Sequence, residues 1–304
     1  MAISRHQLVK ELEPGLNALF GLEYNRYDNQ HAEIYTSESS DRAFEEEVML
    51  SGFGNASVKS EGSGVAFDNA QESYSARYTH ETVALAFAIT EEAIEDNLYD
   101  RISSRYTKAL ARSMSNTKQV KAAAPLNNGL PSVDGFDSGD GVSLFNTAHT
   151  TVSGTNVKNT LSTQADLNET SLEQAMIDIS GMTDERGLRI AAKAVKMIVP
   201  SANQFAAERL MKSQGRTGTA DNDINALGSM GMIPQGYRVN NFLTDTDSFY
   251  IITDVPNGMK MFTRAPLTTA MEGDFDTGNV RYKARERYSF GVSDFRGIFG
   301  VEGA

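Results

Sequence analysis

Apolar and polar positions change period several times along this chain, and each change marks an expected element. Val83, Leu85, Phe87 and Ile89 recur at every second position, the signature of a half-buried strand, so residues 77–89 read as one strand. Before it, Gly52-Phe53-Gly54 and Gly62-Ser63-Gly64 punctuate a polar stretch that starts at Glu45. A strand, a glycine-rich stretch and a long returning strand predict a β-hairpin excursion. At Thr90 the period becomes helical: Ile94, Leu98, Ile102, Tyr106, Leu110 and Met114 recur every four residues. Four residues overshoot a turn by about 40°, so this stripe winds around the axis and meets different partners along its length. Glu91 and Glu92 suit the positive end of the helix and Lys118 and Lys121 the other; Pro125 is expected to stop it.

Residues 1–43 show no sustained period. Ile3, Leu8, Leu12 and Leu16 allow a short helix, interrupted near Pro14-Gly15, and the segment reads as an extended arm with too little apolar surface for a core of its own. Residues 125–166 read as loop, with one apolar island at 142–145. A helix is expected from Leu172 to about Asp184, a buried strand at 195–199, and a helix carrying Phe205, Ala206, Leu210 and Met211. A loop at 215–228 and strands at 237–243 and 249–252 complete an α+β lobe. Near the end, residues 280–292 alternate cleanly: Tyr282, Ala284, Tyr288, Phe290 and Val292 on one face, Arg281, Lys283, Arg285 and Arg287 on the other. Four like charges along one strand face repel one another unless something acidic covers them.

The charge is unevenly spread. Of a net −12 over 304 residues, residues 1–100 carry 19 Asp/Glu against 6 Lys/Arg, while the remainder is nearly balanced. Either the acidic third is simply solvated or it lies against a more basic body, its own or a neighbour's. The net charge also speaks against a dedicated nucleic-acid binder. No cysteine is present, which removes disulfides, thiolate metal sites and cysteine nucleophiles, and His6, His31, His80 and His149 are scattered. No apolar run approaches the roughly 18 residues needed to span a bilayer, and the first residues lack a signal-peptide core, so a cytoplasmic origin is expected. Gly52-Phe53-Gly54-Asn55-Ala56-Ser57 lacks the third glycine of a dinucleotide loop, and Asp221-Asn222-Asp223-Ile224-Asn225 lacks the closing glutamate of a calcium loop, Met232 standing there instead. His80 and Glu81 point to opposite strand faces. No catalytic set converges, so the chain is expected to be no enzyme and to need no cofactor or metal.

Several motifs, in order, resemble one family. Phe53-Gly54, Lys59-Ser60-Glu61-Gly62, Arg77-Tyr78-Thr79-His80-Glu81-Thr82, Phe87-Ala88-Ile89-Thr90-Glu91-Glu92, Ile94-Glu95-Asp96-Asn97-Leu98-Tyr99, Leu144-Phe145-Asn146-Thr147-Ala148-His149, Asp184-Glu185-Arg186-Gly187, Met197-Ile198-Val199-Pro200 and Asp294-Phe295-Arg296-Gly297 are similar to segments of tailed-bacteriophage major head proteins, including those of Mu-like phages. The resemblance covers about residues 40–300. It implies the α+β Hong Kong 97-like capsid fold: an N-terminal arm (1–45), an extended loop (46–88), a peripheral domain with a spine helix (89–165) and a returning strand (266–304), and an axial domain (166–265). It further implies a subunit that assembles with itself into hexamers and pentamers of an icosahedral head around double-stranded DNA in the host cytoplasm, with a scaffold protein, a portal and a decoration protein as candidate partners and no membrane. The alternative is an encapsulin-type compartment shell with the same fold.

Candidate contacts between subunits are Glu45, Glu46, Glu47, Lys59 and Glu61 on the excursion and Arg281, Lys283, Arg285 and Arg287 on the long strand, the acidic and basic clusters pairing across a subunit boundary. Lys59 sits where some relatives carry a cross-linking lysine, but no asparagine partner is identifiable and a surface lysine is the favoured reading. Only about 45 residues precede the extended loop, which favours a separate scaffold over a cleaved scaffolding segment.

Overall fold

The computed structural model describes residues 5–90, 92–93, 99–133, 135–215, 224–274 and 278–304, with side chains beginning at residue 13 and, in the second long helix, at 103. Ile94, Leu98 and the residues between them, and Asp221, Asn222 and Asp223 of the weak calcium-loop match, lie outside the described residues.

The longest elements are a strand pair. β10 (Met259–Gly273) and β11 (Val280–Val292) run antiparallel, from Met259 opposite Val292 to Gly273 opposite Val280. At about 3.3 Å per residue β11 is roughly 43 Å long. The register shifts around Ala265, beside Pro266, which has no N–H to give to the ladder and belongs at such a bulge. β1 (Thr36–Ser39) adds in parallel to the outer side of β10, and β4 (Glu81–Ile89) adds antiparallel to β11, giving the order β1-β10-β11-β4. The expected single strand over 77–89 is therefore two. β3 (Glu72–Thr79) returns instead on β2 (Phe44–Leu50) as a separate two-stranded ribbon. The change of partner falls at His80, which is buried between the hydroxyls of Ser40 and Ser289, each 2.9 Å from a ring nitrogen.

Two helices cover one face of this sheet. α2 (Tyr99–Asn128) is about 45 Å long, matching β11. It does not stop before Pro125 as expected but runs through it. The missing N–H costs one hydrogen bond near the end of the helix, and packing outweighs the loss: Ala122, Ala123 and Leu126 are buried, and the hydroxyls of Tyr35 and Tyr250 donate to the carbonyls of Ala122 and Leu126. The stripe winds as its spacing predicts, with Leu110 and Met114 buried and Tyr106 half exposed. Lys118 is no helix-end cation; it lies inside, 3.2 Å from the buried carboxylate of Glu286.

α1 (Arg5–Tyr24) corrects the reading of the first segment. It is one 20-residue helix through Pro14, and Leu16 and Phe20 are buried among Leu110, Ala111, Met114, Met271 and Tyr282. A short 3₁₀ turn (Gln30–Glu33) leads into Ile34 and Tyr35, which belong to the main core. The segment thus builds on its own subunit.

That main core lies around a second sheet of order β12-β9-β7-β8, made of β7 (Ala194–Val199), β8 (Tyr237–Val239), β9 (Phe249–Thr253) and β12 (Ile298–Val301). α3 (Glu169–Ser180) packs on it through Leu172, Ala175, Met176 and Ile179; its start is fixed by a capping box between Asn168 and Ser171. It ends at Gly181, earlier than expected. α4 (Gln204–Lys212) and α5 (Ala226–Met230) flank the sheet, the latter inside a stretch read as loop. The 142–145 island is core: Leu144 and Phe145 are fully buried, just before the small hairpin of β5 (His149–Thr150) and β6 (Asn156–Val157). β10 passes unbroken through residues 265 and 266, and β12 joins the second sheet, so the chain crosses between its two parts more often than a division at 265 implies.

Candidate assembly interface

The excursion between β2 and β3 is held at its base and bare at its tip. Ser51 closes the ribbon by donating its N–H to Gln71 O (2.9 Å) and accepting from Gln71 N at its hydroxyl (3.0 Å). Farther out, Asp68 accepts from Gly54 N at 2.7 Å, and its two carboxylate oxygens accept from one Arg186 nitrogen at 2.9 and 3.1 Å. Gly54 and Arg186 together hold the Asp68 carboxyl below its usual range, the backbone hydrogen bond from Gly54 being the largest cause. Beyond this clasp, Phe53, Val58, Val65 and Phe67 are exposed, Val58 and Phe67 at 98%. Burying a side chain of this size is worth roughly 1.5–3 kcal/mol, so such a tip is stabilised by whatever covers it. Lys59 and Glu61 are exposed on the same tip.

Behind the clasp lies a buried ionic network. The Arg296 guanidinium, 3% exposed, reaches Glu185 (2.7 Å), Asp294 (3.2 Å) and the carbonyl of Thr183 (2.8 Å). Glu185 also accepts from the hydroxyl of Ser73 on β3 (3.0 Å) and from Val152 N (3.2 Å). Burial pushes the Asp294 carboxyl up against the pull of Arg296. Glu185 faces this network while the next residue, Arg186, clasps Asp68, so one turn fastens the excursion from inside and outside. Gly187 closes that turn at φ +83°, where a side chain would be strained. Gly297 packs backbone to backbone on Gly258; a Cβ there would fall 2.3 Å from the Gly258 Cα. His149 is stacked on Phe295, ring centroids 3.9 Å apart, and held by Asp140 (2.6 Å) and Asn159 (3.1 Å). Three motifs distant in sequence, at 144–149, 184–187 and 294–297, thus meet at the root of the excursion.

The acidic cluster on β2 finds partners within its own chain. Glu45 accepts from Ser40 (2.7 Å) and lies 3.8 Å from Arg42; Glu46 lies 3.7 Å from Arg77. Glu47 binds Lys260 and the hydroxyl of Ser293, and Glu38 reaches Lys260 at 3.1 Å. Burial alone would lower the Lys260 pKa, but Glu47 and Glu38 hold it above its ordinary value. The basic row behaves otherwise. Arg281, Lys283 and Arg285 are exposed and Arg287 is half-buried, all on the sheet face away from the helices; among the described residues, Arg281 alone of the four has an acidic partner, Asp274. Among the described residues no ion pair joins the two clusters, although Glu45 and Arg287 both lie near His80. Glu286, on the inward face between Arg285 and Arg287, escaped the alternation reading; it is buried and raised in pKa by that burial, with Lys118 beside it and the Tyr24 hydroxyl donating at 3.4 Å. Among the described residues no group of three or more acidic or histidine side chains converges on a metal position.

Comparison with known proteins accords with this architecture. The fold is that of the capsid of Myoviridae phage XM1 (TM-score 0.55, 13% identity, 89% of each chain covered) and of Mycobacterium phage Adephagia (0.52, 12%, 91% of each chain). It is also that of a virus-like particle from Pyrococcus furiosus (0.51, 11%, 94% of this chain and 98% of that one). No curated protein matches the sequence. Residues 73–301 match the phage capsid protein family, which contains every element from β3 to β12. The chain belongs to that family: it is a structural major capsid protein with the tailed-phage, Hong Kong 97-like fold.

Proposed function

We propose that the subunit forms hexamers and pentamers that close an icosahedral head around double-stranded DNA, assembled in the host cytoplasm with a separate scaffold protein and a portal, and open to a decoration protein on its surface. It does so without catalysis, cofactor or sequence-specific DNA recognition. The observation that carries this reading is the excursion itself: fastened at its root by Arg296, Glu185 and Arg186, it ends in apolar side chains that no described residue of the same chain covers. A neighbouring subunit is the partner always present in a shell. The proposed division is arm (1–45), extended loop (46–88), peripheral domain (89–165 with 266–304) and axial domain (166–265). The contact residues proposed are Lys59 and Glu61 at the tip, and Arg281, Lys283, Arg285 and Arg287 on β11. Glu45, Glu46 and Glu47 would join them by sharing their carboxylates with a neighbour's β11.

Negative-stain microscopy of the purified full chain, with and without its scaffold, tests the reading. Closed shells or free capsomers are expected. A monomer under every assembly condition, with a measurable turnover, overturns it. Lys283→Glu with Arg285→Glu is expected to lower shell yield several-fold while leaving the circular dichroism spectrum unchanged, since both side chains are exposed and neither has an acidic partner among the described residues.

A further inference from the structure

We propose that the outward face of α2 binds the phosphate backbone of duplex DNA; the inference rests on the reading that the shell encloses DNA. α2 carries six cations, Arg101, Arg105, Lys108, Arg112, Lys118 and Lys121, against one carboxylate, Asp100. Lys118 and Lys121 turn inward to Glu286 and Glu81. The others are spaced i, i+4, i+7 and i+11, which at 100° per residue confines them to an arc of about 60° along roughly 16 Å of helix. Arg105, Lys108 and Arg112 are exposed on the side away from the sheet. Arg112 lies 3.8 Å from Glu23, while Arg105 and Lys108 have no acidic partner among the described residues. The chain is acidic overall, so this stripe is a local exception that net charge conceals.

The stripe and the β11 row lie on opposite faces of the same two-layer part, because the inward residues of β11 pack against the helices. A shell has one interior, and the two faces differ in shape. On the sheet face, Ala84, Ala86 and Ala88 of β4 stand opposite Arg285, Lys283 and Arg281, a flat floor on which another protein segment can lie. The α2 face is a convex rod on which Arg105 and Lys108 stand exposed. Arginine forks and lysine on such a rod suit the closely spaced phosphates of a duplex, and they read charge without reading bases.

The test uses full-length capsomers and a fluorescent duplex of random sequence, with affinity followed by anisotropy over about 50–200 mM salt. Each phosphate contact contributes about 0.9 to the slope of log affinity against log salt, so Arg105→Gln with Lys108→Gln is expected to reduce that slope by about 1.8. Arg105→Lys with Lys108→Arg should retain it. An unaltered slope in the α2 variant overturns the proposal. So does poly-glutamate competing as well as DNA of equal charge, which would point to an acidic protein. Microscopy of the same preparations reads shell formation separately. Shells with an unaltered slope refute only the DNA face; a retained α2 effect in a chain that never forms shells refutes only the capsid reading.

Discussion

His31 and Arg296 show how much single buried side chains decide here. His31 is the buried residue of the 3₁₀ turn, its Nδ1 without a hydrogen-bond partner among the described residues and Phe290 edge-on at 6.1 Å. Burial, and then the nearby Lys118, lower its pKa from 6.5 to about 4. The unfolded chain therefore takes up the proton first as pH falls. The stability this neutral ring contributes is complete above about pH 6.5 and is lost progressively down to about pH 4, by roughly 3 kcal/mol. Glu286, raised by burial, works in the opposite sense, since its folded form is protonated more readily than its unfolded form. Comparing chemical denaturation of wild type and His31→Gln at pH 7 and pH 4.5 isolates the histidine: the variant is expected to lose less stability across that interval. Arg296 presents the other case. Arg296→Ala leaves Glu185 and Asp294 buried without their counter-charge, and about 3–5 kcal/mol of destabilisation is expected in a urea titration.

At the scale of elements, the excursion is attached by two contacts of different kind. The buried one, through Glu185, is part of the core, whereas the Asp68–Arg186 clasp is half exposed and worth only about 0–1 kcal/mol. Asp68→Ala is therefore expected to leave the unfolding midpoint nearly unchanged while freeing the ribbon end. Limited proteolysis should then cut within residues 52–70 several-fold faster than in wild type. Equal cleavage rates would mean that β2–β3 pairing alone sets the position of the tip. α2 and β11 are matched in length, and the Lys118–Glu286 pair between them is buried, so this layer is expected to move as one body rather than to bend between helix and strand.

For the whole molecule, the first 40 residues matter more than their composition implies. Leu16 and Phe20 seal the helical layer, Ile34 and Tyr35 enter the main core, and β1 extends the sheet. Burying four such side chains is worth about 1.5–3 kcal/mol each, comparable to the 5–15 kcal/mol that separates a folded domain from its unfolded state. Deleting residues 1–40 is therefore expected to destabilise the subunit itself, seen as a lowered melting temperature by circular dichroism before any shell is attempted. This reverses the expectation for a free arm. An intact fold with failed assembly would restore it.

Local periodicity was enough to read β11 residue for residue, the strand at β7, the helix at α4 and the winding of the α2 stripe, because each repeats one simple pattern that neighbours do not override. The ordered motifs were likewise legible and led to the family. Proline was misread twice, at Pro14 and Pro125, because a local rule counts the lost hydrogen bond and cannot see Phe20 or Leu126 packing on the other side. β10 escaped notice since Pro266 and a bulge break its alternation. The change of partner at His80 depends on two serines, one 40 and the other 209 residues away. The root of the excursion could not be read at all: Asp68, Glu185, Arg186 and Arg296 are ordinary charges along the chain, and only folding brings the motifs at 144–149, 184–187 and 294–297 together. Sequence by itself determined the period of each element and the kind of subunit. Tertiary structure decided which charges are already matched within one chain and which are left for a partner, because matching depends on distances that no linear spacing contains.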